Sequence, residues 1–286
     1  MPIEAKVIAD SISSSGKRIT TLQLIYPRFI HSEFLTHRVF SRNSSSSRAI
    51  PVRKMLQLIR NDPAMPIHWG KDKPGMQATE EIQHVGVAKD VWLRAARNAA
   101  AAAEDLMSMG VHKQVANRLL EPFQHMNTIM TSTEFDNWNE LRAHPDAQPE
   151  IQKLAYDIQF AMSQSYPVLL QRGEWHLPYV QLVDYRLVNS YGYPKDTLRK
   201  ISAARCCRVS YLKHDGSCPT IEDDLKLCDR LAGAKPIHAS PFEHQATPDV
   251  FIPATRTIPA HWTYPEAHGN FVGWIQNRKL IEQQFK

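Results

Sequence analysis

Thr36-His37-Arg38-Val39-Phe40-Ser41-Arg42-Asn43-Ser44-Ser45-Ser46-Ser47-Arg48 is the stretch around which the chain is organised. An apolar segment closes on a His-Arg pair, and a hydroxyl-rich turn runs on to a further arginine. Arginine presents a planar fork of donors that suits phosphate oxygens. Serine hydroxyls and turn amides complete an anion cradle beside it. A Ser-rich run also reads as a plain polar loop, so the flanking sequence has to decide.

Upstream, residues 4–11 and 18–26 are two β-leaning runs around Ser13-Ser14-Ser15-Gly16-Lys17, which predicts a hairpin with Ile19, Leu22, Leu24 and Tyr26 among its apolar members. Pro27 suits the first turn of a helix over roughly 28–39, with Phe29, Phe34, Leu35 and Val39 as its apolar stripe. His37 and Arg38 then fall near its C-terminal end. Residues 60–80, with Pro63, Pro66, Gly70, Pro74 and Gly75, read as a long irregular loop. A helix of high propensity follows over about 78–109 and stops at Gly110, and another spans about 112–121.

Further along, Thr131 or Ser132 is placed to cap a helix carrying Asn137 and Arg142, and a helix from Ala147-Gln148-Pro149-Glu150-Ile151 runs to about Ser165. Gly173-Glu174-Trp175-His176-Leu177-Pro178-Tyr179 fits either a lid or an aromatic-packed connector. Residues 196–212 read as a helix, Glu222 to Leu231 alternates acidic and apolar positions at helical spacing, and a last helix is predicted over about 268–284. His238, Glu243 and His244 do not make the H-E-x-x-H pairing of a zinc site, so no metal is expected.

Composition sets the outer bounds. A chain of 286 residues with 43% hydrophobic and 22% charged residues suits a soluble globular protein with a substantial core. The net charge of +5 fits an anionic ligand, and the absence of a dense Lys/Arg block argues against nucleic acid. The start Met1-Pro2-Ile3-Glu4 lacks a signal-peptide pattern, no apolar run reaches membrane-spanning length, and Cys206, Cys207, Cys218 and Cys228 match neither a zinc nor a disulfide framework. A cytoplasmic protein with reduced thiols is the expectation.

These motifs together resemble the flavin-dependent thymidylate synthases. That family carries R-H-R, seven residues, Ser and, two positions on, Arg; here His37, Arg38, Ser46 and Arg48 fall in register while Thr36 replaces the first Arg. Asn137, Arg142 and Ala147 to Ile151 match its Asn-x4-Arg and Ala-Gln-x-Glu-Ile helices. Ala203 to Ser210 is similar to its R-A-A-R-V-S helix end, and His238 to His244 to its H-x-T-P-F-E-H turn. In the family those last two motifs precede the His-Arg motif; here they follow it, so the order looks circularly permuted, as surface termini permit.

The resemblance implies one α/β (α+β) domain over 1–286, with a central mixed or antiparallel sheet flanked by helices. Residues 1–165 would hold the His-Arg and helical part and 196–286 the permuted segment. It implies FAD as cofactor, NADPH as reductant, methylenetetrahydrofolate as carbon donor, dUMP as substrate, and sites formed between subunits of a homotetramer. Carried across singly, His37, Arg38, Asn137, Ser210, His238, Ser240 and Glu243 would hold the flavin. Glu33, Ser46, Ser47 and Arg48 would bind the nucleotide, and Arg142 would lie against the pyrimidine as the main electrostatic catalyst. Glu33 stands where the family has Gln, Ser44 where it has Glu, and Asn117 where it has a substrate-binding Arg. These departures leave C5 hydroxymethylation, or a dCMP substrate, as the alternative chemistry, and a non-catalytic nucleotide- or nucleic-acid-binding homologue as the alternative class.

Overall fold

Glu4–Ser13 (β1) and Arg18–Pro27 (β2) form the antiparallel hairpin their alternation predicts, in a computed structural model that describes residues 3–209 and 219–283. Ser41–Ser44 (β3), His125–Ser132 (β4) and Val168–Leu170 (β5) complete a mixed sheet in the order β3-β4-β2-β1-β5, in which only β5 runs parallel to its neighbour. The fold is α/β, with this sheet at its centre and helices around it.

Strand period explains how both sides are covered. Leu22, Leu24 and Tyr26 of β2 and Met126 and Met130 of β4 share one side, packed by Phe34, Trp138, Ile151, Leu154 and Ile158. These come from helices His31–Phe34 (α1), Asp136–Arg142 (α5) and Pro149–Ser163 (α6), with Val52–Asn61 (α2), Val85–Ser108 (α3) and Lys113–Ala116 (α4) between them in the chain. Residues of opposite parity, such as Ile19, meet Ala246, Phe271 and Trp274 from the C-terminal part. Burying each such side chain contributes on the order of 1.5–3 kcal/mol.

The C-terminal part consists of Leu182–Ser190 (α7), Thr197–Cys207 (α8), Ile221–Ala232 (α9) and Asn277–Gln283 (α10), with short strands Ala246–Pro248 (β6), Phe251–Ile252 (β7), His261–Trp262 (β8) and Trp274–Gln276 (β9). Ala203, Cys207, Leu227, Leu231 and Phe242 make the core between α8 and α9. Satellites of apolar packing therefore flank the sheet, another being formed by Met55, Leu56 and Ile59 of α2 against Ala96, Ala100 and Ala103 of α3.

Several expectations are corrected. The helix over 28–39 shrinks to a 3-10 turn at Arg28–Ile30 and the four residues of α1. The reason lies in Arg42, whose guanidinium donates to the carbonyls of Leu35 (2.9 Å) and His37 (3.2 Å), groups that helical amides would otherwise take. The helix over 78–109 starts only at Val85, because residues ahead of it pair with the preceding loop: Ile82 N–H donates to Trp69 O at 2.9 Å and Lys71 N–H to Glu80 O at 2.7 Å. Thr131 and Ser132 belong to β4, and α5 begins at Asp136 after Phe135. The helix over 112–121 is α4 followed by a 3-10 segment, Asn117–Phe123. The helix over 268–284 is instead β9, paired with β6, then α10. Among the described residues no helix is long and apolar enough to cross a membrane.

Candidate active site

Arg142, at the C-terminal end of α5, gathers the residues that close α1. Its Nε donates to His37 Nε2 at 2.9 Å, its Nη1 is ion-paired with Glu33, and its Nη2 reaches Thr36 Oγ1 at 3.4 Å. Because His37 Nε2 accepts, the neutral ring carries its proton on Nδ1, and the Asn137 side chain interacts with the same imidazole. Burial, then the charges of Arg142 and Arg42, lower the His37 pKa to about 4. His37 is therefore a neutral imidazole, wedged edge-on against Trp138 at 4.8 Å and stacked on Phe40. The structure thus brings together Glu33, His37, Asn137 and Arg142. Arg38 stands exposed beside them.

Strand β3 divides the remaining candidates between the two sides of the sheet. Arg42 and Ser44 face the His37 loop: Arg42 holds its carbonyls, and Ser44 Oγ meets Thr128 Oγ1 at 2.8 Å. Ser41 and Asn43 face the C-terminal segment. Asn43 Nδ2 donates to the Cys206 carbonyl at 2.7 Å, and Ser240 Oγ lies 3.5 Å from Asn43 Oδ1. The helix end Ala203–Val209 and the Ser240–Glu243 turn, separated from the His-Arg motif by most of the chain, therefore converge on β3. Ser210 lies outside the described residues.

Glu243 is ion-paired with Arg278; burial raises its pKa, while Arg278 and Arg42 act the other way. His238 is exposed, and among the described residues only its backbone is engaged, donating to Leu231 O at 3.2 Å. Burial also raises the thiols of Cys207 to about 11 and Cys228 to about 12, far from thiolate reactivity.

The Ser45–Ile50 turn is held from beneath by its carbonyls. Asn117 Nδ2 donates to Ser47 O (2.7 Å) and Ile50 O (2.9 Å), and Lys113 Nζ to Ala49 O (3.0 Å). Asn117, standing where the resemblance has an arginine, thus shapes the turn rather than reaching an anion. Ser46 Oγ accepts from the Arg48 amide at 3.3 Å, and the Arg48 side chain is exposed. Ser47 Oγ donates to Glu121 Oε1 at 3.3 Å, an oxygen that also receives Arg28 (2.9 Å) and Arg118 (3.0 Å). A carboxylate of the chain itself therefore occupies part of the expected anion cradle.

Two cavities lie against these groups. The first, about 680 Å³, opens between the Ser45–Pro51 turn, α2, the head of β4 and α9, and includes Arg208 and Val209, the neighbours of Ser210. The second, about 1370 Å³, is lined by Glu33 and Arg142 with Phe29, Trp92, Leu141 and Tyr156 among others. They share no lining residue. Within one chain Ser45 and Ala49, which flank Ser46–Arg48, line the first cavity and Arg142 lines the second.

Arg42, Glu121 and the cations of the first cavity were not singled out from the sequence. Recognising β3 would have pointed to Arg42 through strand parity; nothing local marks Glu121.

The fold and these clusters define a mixed α/β protein with two clefts of ligand size, each with arginine in its wall. Residues 19–168 match the model of the family described as "Thymidylate synthase complementing protein", and the chain belongs to that family. No curated protein matches the sequence. Among solved structures, the chain is similar to a UMP/dUMP methylase, PolB from Streptomyces cacaoi, in two crystal structures. With 5-Br dUMP bound the identity is 15% and the TM-score 0.47, over 59% of this chain and 91% of that one. With 5-Br UMP bound they are 16% and 0.46, over 66% and 95%.

Proposed function

We propose that the protein methylates C5 of dUMP, the nucleotide being gripped by the Ser46–Arg48 turn and its base lying against Arg142. One observation carries this reading. The region that places the chain in its family holds both the hydroxyl-rich turn and the Glu33–His37–Asn137–Arg142 cluster, each at the wall of a ligand-sized cavity. Because the two cavities are separate in one chain, the reading assigns the turn and Arg142 to different subunits of a homotetramer.

No side chain can supply a hydride, so FAD, reduced by NADPH, would provide the reducing chemistry and methylenetetrahydrofolate the carbon. The residues fit part of such a cofactor. The 680 Å³ cavity is mostly apolar, carries cations, and adjoins Ser45 and Val209, next to two of the positions the family resemblance assigns to binding. His37, Arg38, Asn137, Ser210, Ser240 and Glu243 would hold the flavin, with His238 at the edge of that group.

The chain's own contribution is orientation and charge. His37, neutral and fixed by Arg142 and Asn137, presents no competing positive charge. Arg142, already directed by its bonds to His37 and Glu33, would donate to a pyrimidine oxygen as negative charge develops on the ring. A preorganised donor of this kind is worth ~3–4 kcal/mol of barrier. Glu33 suggests a second reading. A carboxylate accepts hydrogen bonds and would accept one from a cytosine amino group, favouring dCMP.

Turnover with dUMP and with dCMP, in the presence of FAD, NADPH and methylenetetrahydrofolate, tests both. A methylated dUMP supports the main reading. A modified cytosine nucleotide supports the second, and a hydroxymethyl mass on either base replaces reductive methylation. A protein that takes up no flavin and turns over neither nucleotide is a non-catalytic homologue.

A further inference from the structure

Three cations at the mouth of the 680 Å³ cavity have no role in the cluster around Arg142 or in the Ser46–Arg48 turn. Lys226 and Arg230 lie one turn apart on α9, and Lys54 lies on α2 in the wall of the same cavity. Among the described residues none of the three has a carboxylate partner. Arg208, by contrast, is bound to Asp224 at 2.7 Å.

The acids nearby are already engaged. The Asp223 carboxylate accepts from the Thr220 amide at 3.1 Å, closing the capping box at the start of α9, and Asp62 is not free either. Like charges four residues apart on one helix repel each other. Arg230 has a bland explanation, since a cation in the last turn complements the helix dipole. Lys226, in mid-helix, and Lys54, across the cavity, do not share it.

Ile50, Met55, Leu58, Ile59, Phe123 and Leu227 make most of the wall apolar, with Ser45, Asn61, Gln124, His125 and Asn127 as polar neighbours. A largely apolar chamber of ligand size, whose wall carries positive charge without a carboxylate partner among the described residues, matches a ligand with a flat ring and an anionic end. We propose that Lys54, Lys226 and Arg230 form an anion subsite that binds the phosphate of a ring-bearing phosphate ester whose ring occupies the cavity. The assignment rests on the nucleotide reading given above for the class of ligand, and on the cavity for its place.

Two sources share this chemistry, a dinucleotide cofactor and a nucleotide monophosphate, and the arms of one titration separate them. FAD, riboflavin, dUMP and deoxyuridine are titrated against the full chain and its Lys226→Ala/Arg230→Ala variant, with Lys195→Ala as an exposed control outside the cavity. The subsite predicts a loss of at least tenfold in affinity for FAD, dUMP or both, with riboflavin and deoxyuridine unaffected. It also predicts a weaker salt dependence in the variant. Loss with FAD alone places the dinucleotide there, and loss with dUMP alone the substrate.

Unchanged binding of both phosphorylated probes overturns the proposal. So does an equal loss for phosphorylated and unphosphorylated probes, or a wild-type protein that binds neither FAD nor dUMP. Phosphate-dependent binding without turnover would leave the subsite standing and remove the methyl transfer.

Discussion

Arg142 donates its Nε proton to His37 and holds Glu33 with the same guanidinium, so one side chain sets both the tautomer of the imidazole and the charge in the second cavity. Arg142→Ala is expected to lower kcat/KM for dUMP by about 100- to 1000-fold. Arg142→Lys should recover little, since an ammonium cannot reproduce the fork. A loss below tenfold in either would remove Arg142 from the chemistry. Glu121 points the opposite way. Its Oε1 collects Ser47, Arg28 and Arg118, so Glu121→Gln frees cationic donors and should tighten dUMP binding severalfold in a titration. An unchanged or weaker Kd would show the contact to be structural only. The meeting of His37, Asn137 and Arg142 was foreseeable from the sequence because family motifs mark all three. Glu121 was hidden, since a lone glutamate in a helical stretch carries no local sign of its partners.

At the level of elements, the β1–β2 hairpin was readable because its apolar residues alternate, and α6 because Gln148 and Pro149 announce its start. Strands β3 and β4 were missed. Ser41–Ser44 is too polar to alternate, and Met126 and Met130 carry no strand preference, so pairing across the sheet decides both. The covered sheet also makes a testable electrostatic device. His176 bonds Ser11 (2.9 Å) and Thr21 (2.8 Å), Thr21 bonds Thr131 (2.7 Å), and Thr131 bonds His244 (2.9 Å). Burial lowers the pKa of His176 and of His244 from 6.5 to about 3.

The unfolded chain therefore takes up protons near pH 6.5 that the native histidines refuse until about pH 3. Over that window the unfolded state binds more protons, so stability falls as pH falls, by up to ~1.4 kcal/mol per pH unit for each histidine. Urea midpoints between pH 7 and pH 4 should decline accordingly, and a flat profile would contradict the buried neutral pair. Gly273 offers a backbone test. Its φ is +76° and an added Cβ would lie 2.7 Å from the Trp262 ring. Gly273→Ala should cost more than ~1 kcal/mol in urea unfolding; a neutral substitution would mean that the turn before β9 can relax.

On the scale of the whole molecule, the C-terminal segment lies over the second side of the sheet and delivers the Cys206 carbonyl and Ser240 to Asn43 on β3. Motifs far apart in the sequence therefore meet on one strand. The separation of the two cavities was not visible from the motifs, because their spacing says nothing about which side of a sheet each occupies. The proposed site holds one pyrimidine nucleotide between the Ser46–Arg48 turn of one subunit and Arg142 of another. The direct measurement mixes two inactive variants, Arg48→Ala and Arg142→Ala, allows their subunits to exchange, and assays dUMP methylation. Activity well above that of either variant alone is predicted, since some sites then combine an intact turn with an intact Arg142. Verified mixed assemblies with no recovery would contradict it.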